Sequence, residues 1–297
     1  MSTVSMLLSR DYDYDPLVSI VTPERSTRMT DWSGSTAVIT GGAQGIGLGI
    51  ARAAAARGAR LALLDLDAEA LEAARAELSS VVPTLTFVHD VRDREGFTAI
   101  ADRVECELGP VDKLFNNAGV APIVSTATLT YEQWDWAIGI NLVGVVNGIQ
   151  TFVPRMIARG EGGYVVNTAS GAGLVGSPGA LYATTKFAVV GMSESLRLDL
   201  EPHGIDVSVL CPGPVDTGIV GNSMALQDFD ADSDAVREAA AGAATFLSTG
   251  RSIDEVGHLV ASAMDEKATW IHTDALIGPA LEARHEALRA SLSTITA

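Results

Sequence analysis

Between Thr36 and His272 short β-branched runs alternate with longer stretches of helical spacing, and this alternation constrains the chain more than any other feature. The expected strands are Thr36–Thr40, Arg60–Asp65, Thr84–His89, Val111–Asn116, Gly163–Thr168, Ile205–Cys211 and Thr269–His272. Between them Ile46–Arg57, Ala68–Leu78, Arg94–Leu108, Tyr131–Ala158 and Ala180–Leu200 carry helical periodicity or alanine-rich composition. Thr130 followed by Gln133 has the spacing of a capping box at the start of the fourth helix. Strands that are apolar along their whole length and alternate with helices require a parallel sheet covered on both faces. The expected fold is therefore α/β, a doubly wound parallel sheet of about seven strands in one domain.

The domain is expected over residues 31–297, since no linker divides Ser35 from Gly213. Residues 1–30 form an extension expected to be poorly ordered, with Met29 as a second translation start. Arg10 and Asp11 interrupt its short apolar beginning, so it does not have the form of a signal peptide. Residues 215–251, rich in Asp, Ala, Ser and Gly, form a long insertion after a strand, the usual setting of a loop that covers a substrate. A helical tail is expected over 279–292. Only Cys106 and Cys211 are present, too few for a disulfide framework, and a reducing, cytoplasmic setting is expected. The net charge of −17 opposes phosphate backbones and anionic lipids, so neither nucleic acid nor membrane is an expected partner. No apolar run is long enough to suggest a bilayer span, and no metal site is expected.

Thr40-Gly-Gly-Ala-Gln-Gly-Ile-Gly47 follows the first strand and opens the first helix. Gly41, Gly45 and Gly47 allow a sharp turn and a close approach to a pyrophosphate, while Gln44 and Ile46 stand at a helix N-terminus whose free N–H groups meet negative charge. Their spacing is not the G-x-G-x-x-G of the two-domain dehydrogenases. Asp65 ends the second strand, where a carboxylate can accept both hydroxyls of an adenosine ribose and repel a 2′-phosphate; Leu66 follows it. Asp67 is the better candidate to cap the next helix. The arrangement points to NAD rather than NADP.

Tyr182-Ala-Thr-Thr-Lys186 places a phenol and an ammonium on one face of a helix, four residues apart. A tyrosine with a pKa near 10 must lose about three units, roughly 4 kcal/mol, to act as a base near neutrality. A neighbouring lysine and a cationic nicotinamide are the charges suited to that. Ser170 ends the fifth strand and can hold a substrate oxygen; Asn117-Ala118-Gly119 ends the fourth; Asn141 lies in the following helix among apolar neighbours; and Pro212-Gly213-Pro-Val215-Asp-Thr217 ends the sixth. All these stations fall at the carboxyl ends of parallel strands or just beyond, where such sheets bind ligands.

Over Ser35 to Thr217 the chain resembles the short-chain dehydrogenase/reductases, in their single-domain Rossmann-type branch, through Thr40–Gly47, Asn116-Asn-Ala-Gly119, Ser170, Tyr182, Lys186 and Pro212-Gly213. The resemblance implies a catalytic tetrad of Asn141, Ser170, Tyr182 and Lys186. Tyr182 would exchange the substrate proton, Lys186 would bind the nicotinamide ribose and lower the tyrosine pKa, and Asn141 would hold a water. It implies further that Asp90 and Val91 contact adenine, that Val215 and Thr217 hold the carboxamide, and that the chain forms a homodimer or homotetramer. The end of the chain departs from the family: Trp270-Ile-His-Thr273 runs into Asp274-Ala-Leu-Ile-Gly-Pro-Ala instead of an Asp-Gly-Gly turn. The segment Thr130–Leu142 resembles bacterial Cα-dehydrogenases of lignin-derived aryl ethers, although Trp134 and Trp136 are read as core or subunit-contact residues rather than substrate ligands. The expected reaction is hydride transfer between NAD and a hydrophobic secondary alcohol or ketone of aryl, terpenoid or steroid type. The alternatives are an NADP-linked carbonyl reductase, a sugar-nucleotide epimerase of the extended branch, and an NAD-binding redox sensor without turnover.

Overall fold

A computed structural model describes residues 32–226 and 234–293; the N-terminal extension and Phe229 of the insertion lie outside the described residues. Strands β1 (Thr36–Thr40), β2 (Arg60–Asp65), β3 (Thr84–Val88), β4 (Val111–Asn116), β5 (Gly163–Thr168), β6 (Ile205–Cys211) and β7 (Trp270–His272) form one sheet in the order β3-β2-β1-β4-β5-β6-β7. Every pairing is parallel. β1 has β2 on one side and β4 on the other, so the chain reverses its direction of travel across the sheet between them. Such a point opens a crevice at the strands' carboxyl ends.

The helices cover both faces because the strands are apolar on both. On one side α3 (Arg94–Leu108), α5 (Gly144–Arg159) and α6 (Ala180–Leu200) bury Phe97, Phe152 and Val189 against Leu114 and Val207. On the other, α1 (Gly45–Ala56) and α2 (Ala68–Leu78) bury Ile50 and Leu71 against Ile39 and Leu63. The Asp67 side chain accepts bonds from the Glu69 and Ala70 amides and caps α2, as expected of it.

Three regions differ from the expected pattern. The stretch read as one helix over Tyr131–Ala158 is α4 (Tyr131–Ile138), a π turn over Gly139–Val143, and α5. The Thr130–Gln133 capping box opens α4 as its spacing predicted. The stretch Tyr131–Arg159 is, by length and composition, apolar enough to cross a bilayer, which corrects the expectation that no such run exists; 56% of its most apolar window is buried inside the protein, the signature of a core helix. The insertion contains two helices, α7 (Ile219–Leu226) and α8 (Asp234–Ser248); the second covers the weak helical pattern that the sequence carries around Ala235–Ala244, and the first was not expected. The tail forms α10 (Gly278–Ser293).

The third difference is α9 (Ile253–Asp265), which no expected element covered. Ser252 and Glu255 form a second capping box, and Val256, Val260, Ala261 and Met264 then bury one face. α9 packs directly on α1. A Cβ on Gly49 would lie closer than 3.0 Å to the Ile253 carbonyl oxygen, and one on Gly257 closer than 3.0 Å to that of Gly49. Two glycines facing each other let these helices meet backbone to backbone.

Candidate active site

The crevice between β1 and β4 opens into a cavity of about 1010 Å³ that runs along the carboxyl ends of the sheet. At one end lies the glycine-rich turn. Gly41 has a left-handed φ of 61°, and a Cβ on Gly47 would strike the Gly41 carbonyl, so the turn tolerates no side chain at either position. Gly47 therefore stands behind the turn and makes room for it, while Gly41, Gln44, Gly45 and Ile46 line the cavity. The turn is tied to the end of β4. The Asn117 and Ala118 amides donate to Thr40 Oγ1 at 2.9 and 3.1 Å, and the Asn117 side chain donates to the Thr40 and Gly41 carbonyls at 3.2 Å each.

Asp65 and Leu66 line the cavity beside the turn, with Asp90 and Val91 next to them. Asp65 Oδ2 accepts from the Ala43 amide at 3.1 Å and Oδ1 from the Asp67 amide at 3.2 Å, which fixes the carboxylate in place. Burial pushes its pKa up, while these amides and that of Leu66 pull it down. Gln44 bonds to Asp67 and to Asn222 of α7, and so joins the turn to the covering segment. Asp90 is held by Arg92 at 2.6 Å, which lowers its pKa.

Further along the cavity the hydroxyl-bearing residues converge. Ser170, in extended conformation after β5, accepts from the Ala172 amide at 3.2 Å and hydrogen-bonds the Tyr182 phenol. Tyr182 lies in the first turn of α6, and Lys186 one turn on. The Lys186 ammonium is 5.6 Å from the Tyr182 ring centre and donates to the Thr168 carbonyl at 3.1 Å. Gly119, Pro212, Gly213, Val215 and Thr217 complete the wall, so the dispersed sequence stations meet in one cleft.

Asn141 does not face the cavity. It is fully buried, and its side chain clamps Val120: Oδ1 accepts from the Val120 amide at 2.8 Å and Nδ2 donates to the Val120 carbonyl at 3.0 Å. The second N–H goes to Thr185 at 3.1 Å. Both side-chain N–H groups are thus committed. Asn141 lies in the π turn over Gly139–Val143.

Residues 35–227 match the short chain dehydrogenase family. The chain belongs to that family. This dehydrogenase is 41% identical over 194 residues to the C alpha-dehydrogenase of a Sphingobium species, a match spanning 64% of each protein and so less than two thirds of that relative. It is 36% identical over 241 residues to the oxidoreductase UcpA of Escherichia coli, covering 80% of this chain and 90% of UcpA. Among solved structures, a short-chain dehydrogenase/reductase from Burkholderia phymatum in complex with NAD superposes with a TM-score of 0.84 at 31% identity, over 89% of this chain and 97% of that one.

Burial dominates the electrostatics of the cleft. Burial raises the Tyr182 pKa, and only the Ser170 hydrogen bond opposes it. Lys186 is itself lowered to about 8 by burial. The lowering of the phenol expected of Lys186 together with a nicotinamide charge belongs to the cofactor-loaded site; in the protein alone Lys186 lies against the Tyr182 ring.

Thr168 was not singled out in the sequence, yet it joins the two halves of the site. Its carbonyl holds Lys186, and its hydroxyl donates to Asn117 Oδ1 at 3.3 Å. The available signal was the polar pair Asn167-Thr168 closing the strand just before Ser170. Trp134 and Trp136 stay outside the cavity lining, and Trp136 packs partly buried against the core, in line with the reading that they do not hold substrate.

Proposed function

We propose that this dehydrogenase uses NAD to interconvert a neutral, hydrophobic secondary alcohol and its ketone. The observation that carries the reading is one continuous cleft with a fixed carboxylate, Asp65, at the glycine-turn end and the paired hydroxyls of Ser170 and Tyr182 at the other. The residues suit a dinucleotide: the side-chain-free turn at Gly41 and Gly47 gives room for a pyrophosphate at the start of α1. Bound NAD⁺ would supply the hydride acceptor and, through its charged ring together with Lys186, a lowering of the Tyr182 pKa.

In this reading Asp65 accepts both ribose hydroxyls, and Asp90 and Val91 flank the adenine. Val215 and Thr217 hold the carboxamide, and Lys186 turns from the Thr168 carbonyl toward the nicotinamide ribose. Ser170 orients the substrate hydroxyl, and Tyr182 takes its proton. Asn141 acts through Val120. The solved NAD complex of the Burkholderia relative supports the cofactor choice. Because a fixed carboxylate repels a 2′-phosphate, kcat/KM with NAD should exceed that with NADP by tenfold or more. Asp65→Ala should weaken NAD by about 1.5–3 kcal/mol for each charged hydrogen bond lost and erase most of the discrimination. A wild-type enzyme that prefers NADP would refute this and favour the carbonyl-reductase alternative.

For the substrate, the wall opposite the cofactor turn is built from Val120, Ala121, Pro122, Ile123, Ile140, Ala172, Leu226, Phe246, Leu247, Leu276 and Ile277. Among the described residues, Lys186 is the only lysine or arginine lining the cavity. Arg237 and Arg251 of the covering segment are turned elsewhere, to Asp234 and to the Thr273 carbonyl. A cleft without spare cations binds by burying apolar surface, at about 25 cal/mol per Å², and an aryl, terpenoid or steroid alcohol has the required surface. In an NAD-coupled assay 1-phenylethanol and steroid alcohols should exceed sugar alcohols in kcat/KM by tenfold or more. A clear preference for the polyol contradicts the apolar pocket, and binding of NAD with no turnover on any alcohol favours the sensor reading. We place the enzyme in the cytoplasm as a homodimer or homotetramer associating through α4–α5 and α6, where Tyr131 and Leu198 remain exposed.

A further inference from the structure

Two consecutive amides in the segment after β4 are held by side chains from two distant elements. Asn141 in the π turn takes the amide of Val120 at 2.8 Å, and Ser223 on α7 takes the amide of Ala121 at 2.8 Å. Val120 and Ala121 both line the cleft, directly after Gly119, where a Cβ would lie 3.4 Å from the Lys186 ammonium. Ser223 is buried and does not line the cavity. Its hydroxyl donates to the Ile219 carbonyl one turn earlier at 2.6 Å, which aims the oxygen's lone pairs at Ala121. The neighbouring residue on α7, Asn222, donates to Gln44 at 3.2 Å, so the helix also has a tie on the cofactor side.

We propose that Ser223 is a positioning residue for the dehydrogenase reaction: it fixes the Val120–Ala121 strip in register with Asn141 and thereby sets the substrate wall opposite Tyr182. The inference rests on the alcohol-oxidising reading of the site. Removing the hydroxyl leaves the half-buried Ala121 amide without its partner at the cleft wall. The strip then keeps its Asn141 anchor at Val120 but drifts beyond it. Substrate fit suffers, while the Asp65 end of the cleft, on the far side of the glycine turn, is untouched. The Gln44–Asn222 tie keeps α7 seated, so the change stays local.

The test compares Ser223→Ala and Ser223→Thr with wild type, using 1-phenylethanol and NAD, alongside hydrogen–deuterium exchange on each protein without added ligand. Ser223→Ala should raise the KM for the alcohol three- to tenfold with the NAD dissociation constant within twofold. It should also speed exchange of the Ala121 amide by tenfold or more. Ser223→Thr, which retains the hydroxyl, should restore both. An unchanged Ala121 exchange rate overturns the proposal, as does a rise in both constants together with a fall in Tm, which marks a merely structural role. If wild type oxidises no alcohol tested, the functional reading fails on its own, and a positioning role for this reaction falls with it; slow Ala121 exchange lost in Ser223→Ala then shows that the hydrogen bond exists without that role.

Discussion

Tyr182→Phe should lower kcat by about 10²-fold or more while NAD binding stays within twofold of wild type. The substitution keeps the ring that the Lys186 ammonium rests against and removes only the hydroxyl bonded to Ser170. No other described group is placed to substitute for it. Ser170 has an ordinary hydroxyl, and Cys211, which also lines the cleft, is pushed by burial to about 12 and holds its proton. Burial raises the phenol pKa, so the acid limb of the alcohol-oxidation profile, set by deprotonation of Tyr182, should move to lower pH when NAD⁺ is bound, as a positive charge beside a phenolate requires. Stopped-flow reduction of NAD with a responsive alcohol measures the first effect, and retention of a tenth of wild-type kcat would overturn the assignment of Tyr182 as acid/base.

The second large effect is structural. Gly49→Val should destabilise the protein by about 3 kcal/mol or more, because the added atoms meet backbone and not a movable side chain. The Ile253 carbonyl cannot rotate away without lifting the first turn of α9 from α1. For a domain of this size such a loss lowers Tm by about 6–12 °C. Thermal unfolding followed by circular dichroism decides the point; a shift under 2 °C means the helices can separate at no cost. α1 also carries the glycine turn at its N-terminus, so the variant should lose NAD affinity along with stability.

Much of this architecture is legible in the sequence, for identifiable reasons. Strands buried on both faces are rich in apolar and β-branched residues, and Thr36–Thr40, Val111–Asn116 and Ile205–Cys211 have the boundaries that their composition predicts. Asp65, Ser170 and Tyr182 are legible because parallel strands deliver their chemistry at one end. α9 escaped because no element was read between the insertion ending at Arg251 and the last strand; the Ser252–Glu255 capping box was the signal available. The π turn at Gly139–Val143 has no comparable signature. A helix with one wider turn has nearly the same apolar spacing as a regular one, so the sequence places Asn141 on a helix but not on the side that grips Val120.

The contact between α1 and α9 also bears on how the chain is made. Arg57 donates to the Ala261 carbonyl at 3.1 Å across 204 residues of sequence. At a synthesis rate of about 5–20 residues per second, the partner of α1 leaves the ribosome on the order of 10–40 s after α1 itself. Throughout that interval the face of α1 bearing Gly49, Ala53 and Gly257's future seat is open, and the nascent amino-terminal half presents it to chaperones and to other chains. Pairing at this distance in sequence is slow to nucleate. The glycine turn is thus synthesised well before α9 and gains its full support only when α9 arrives.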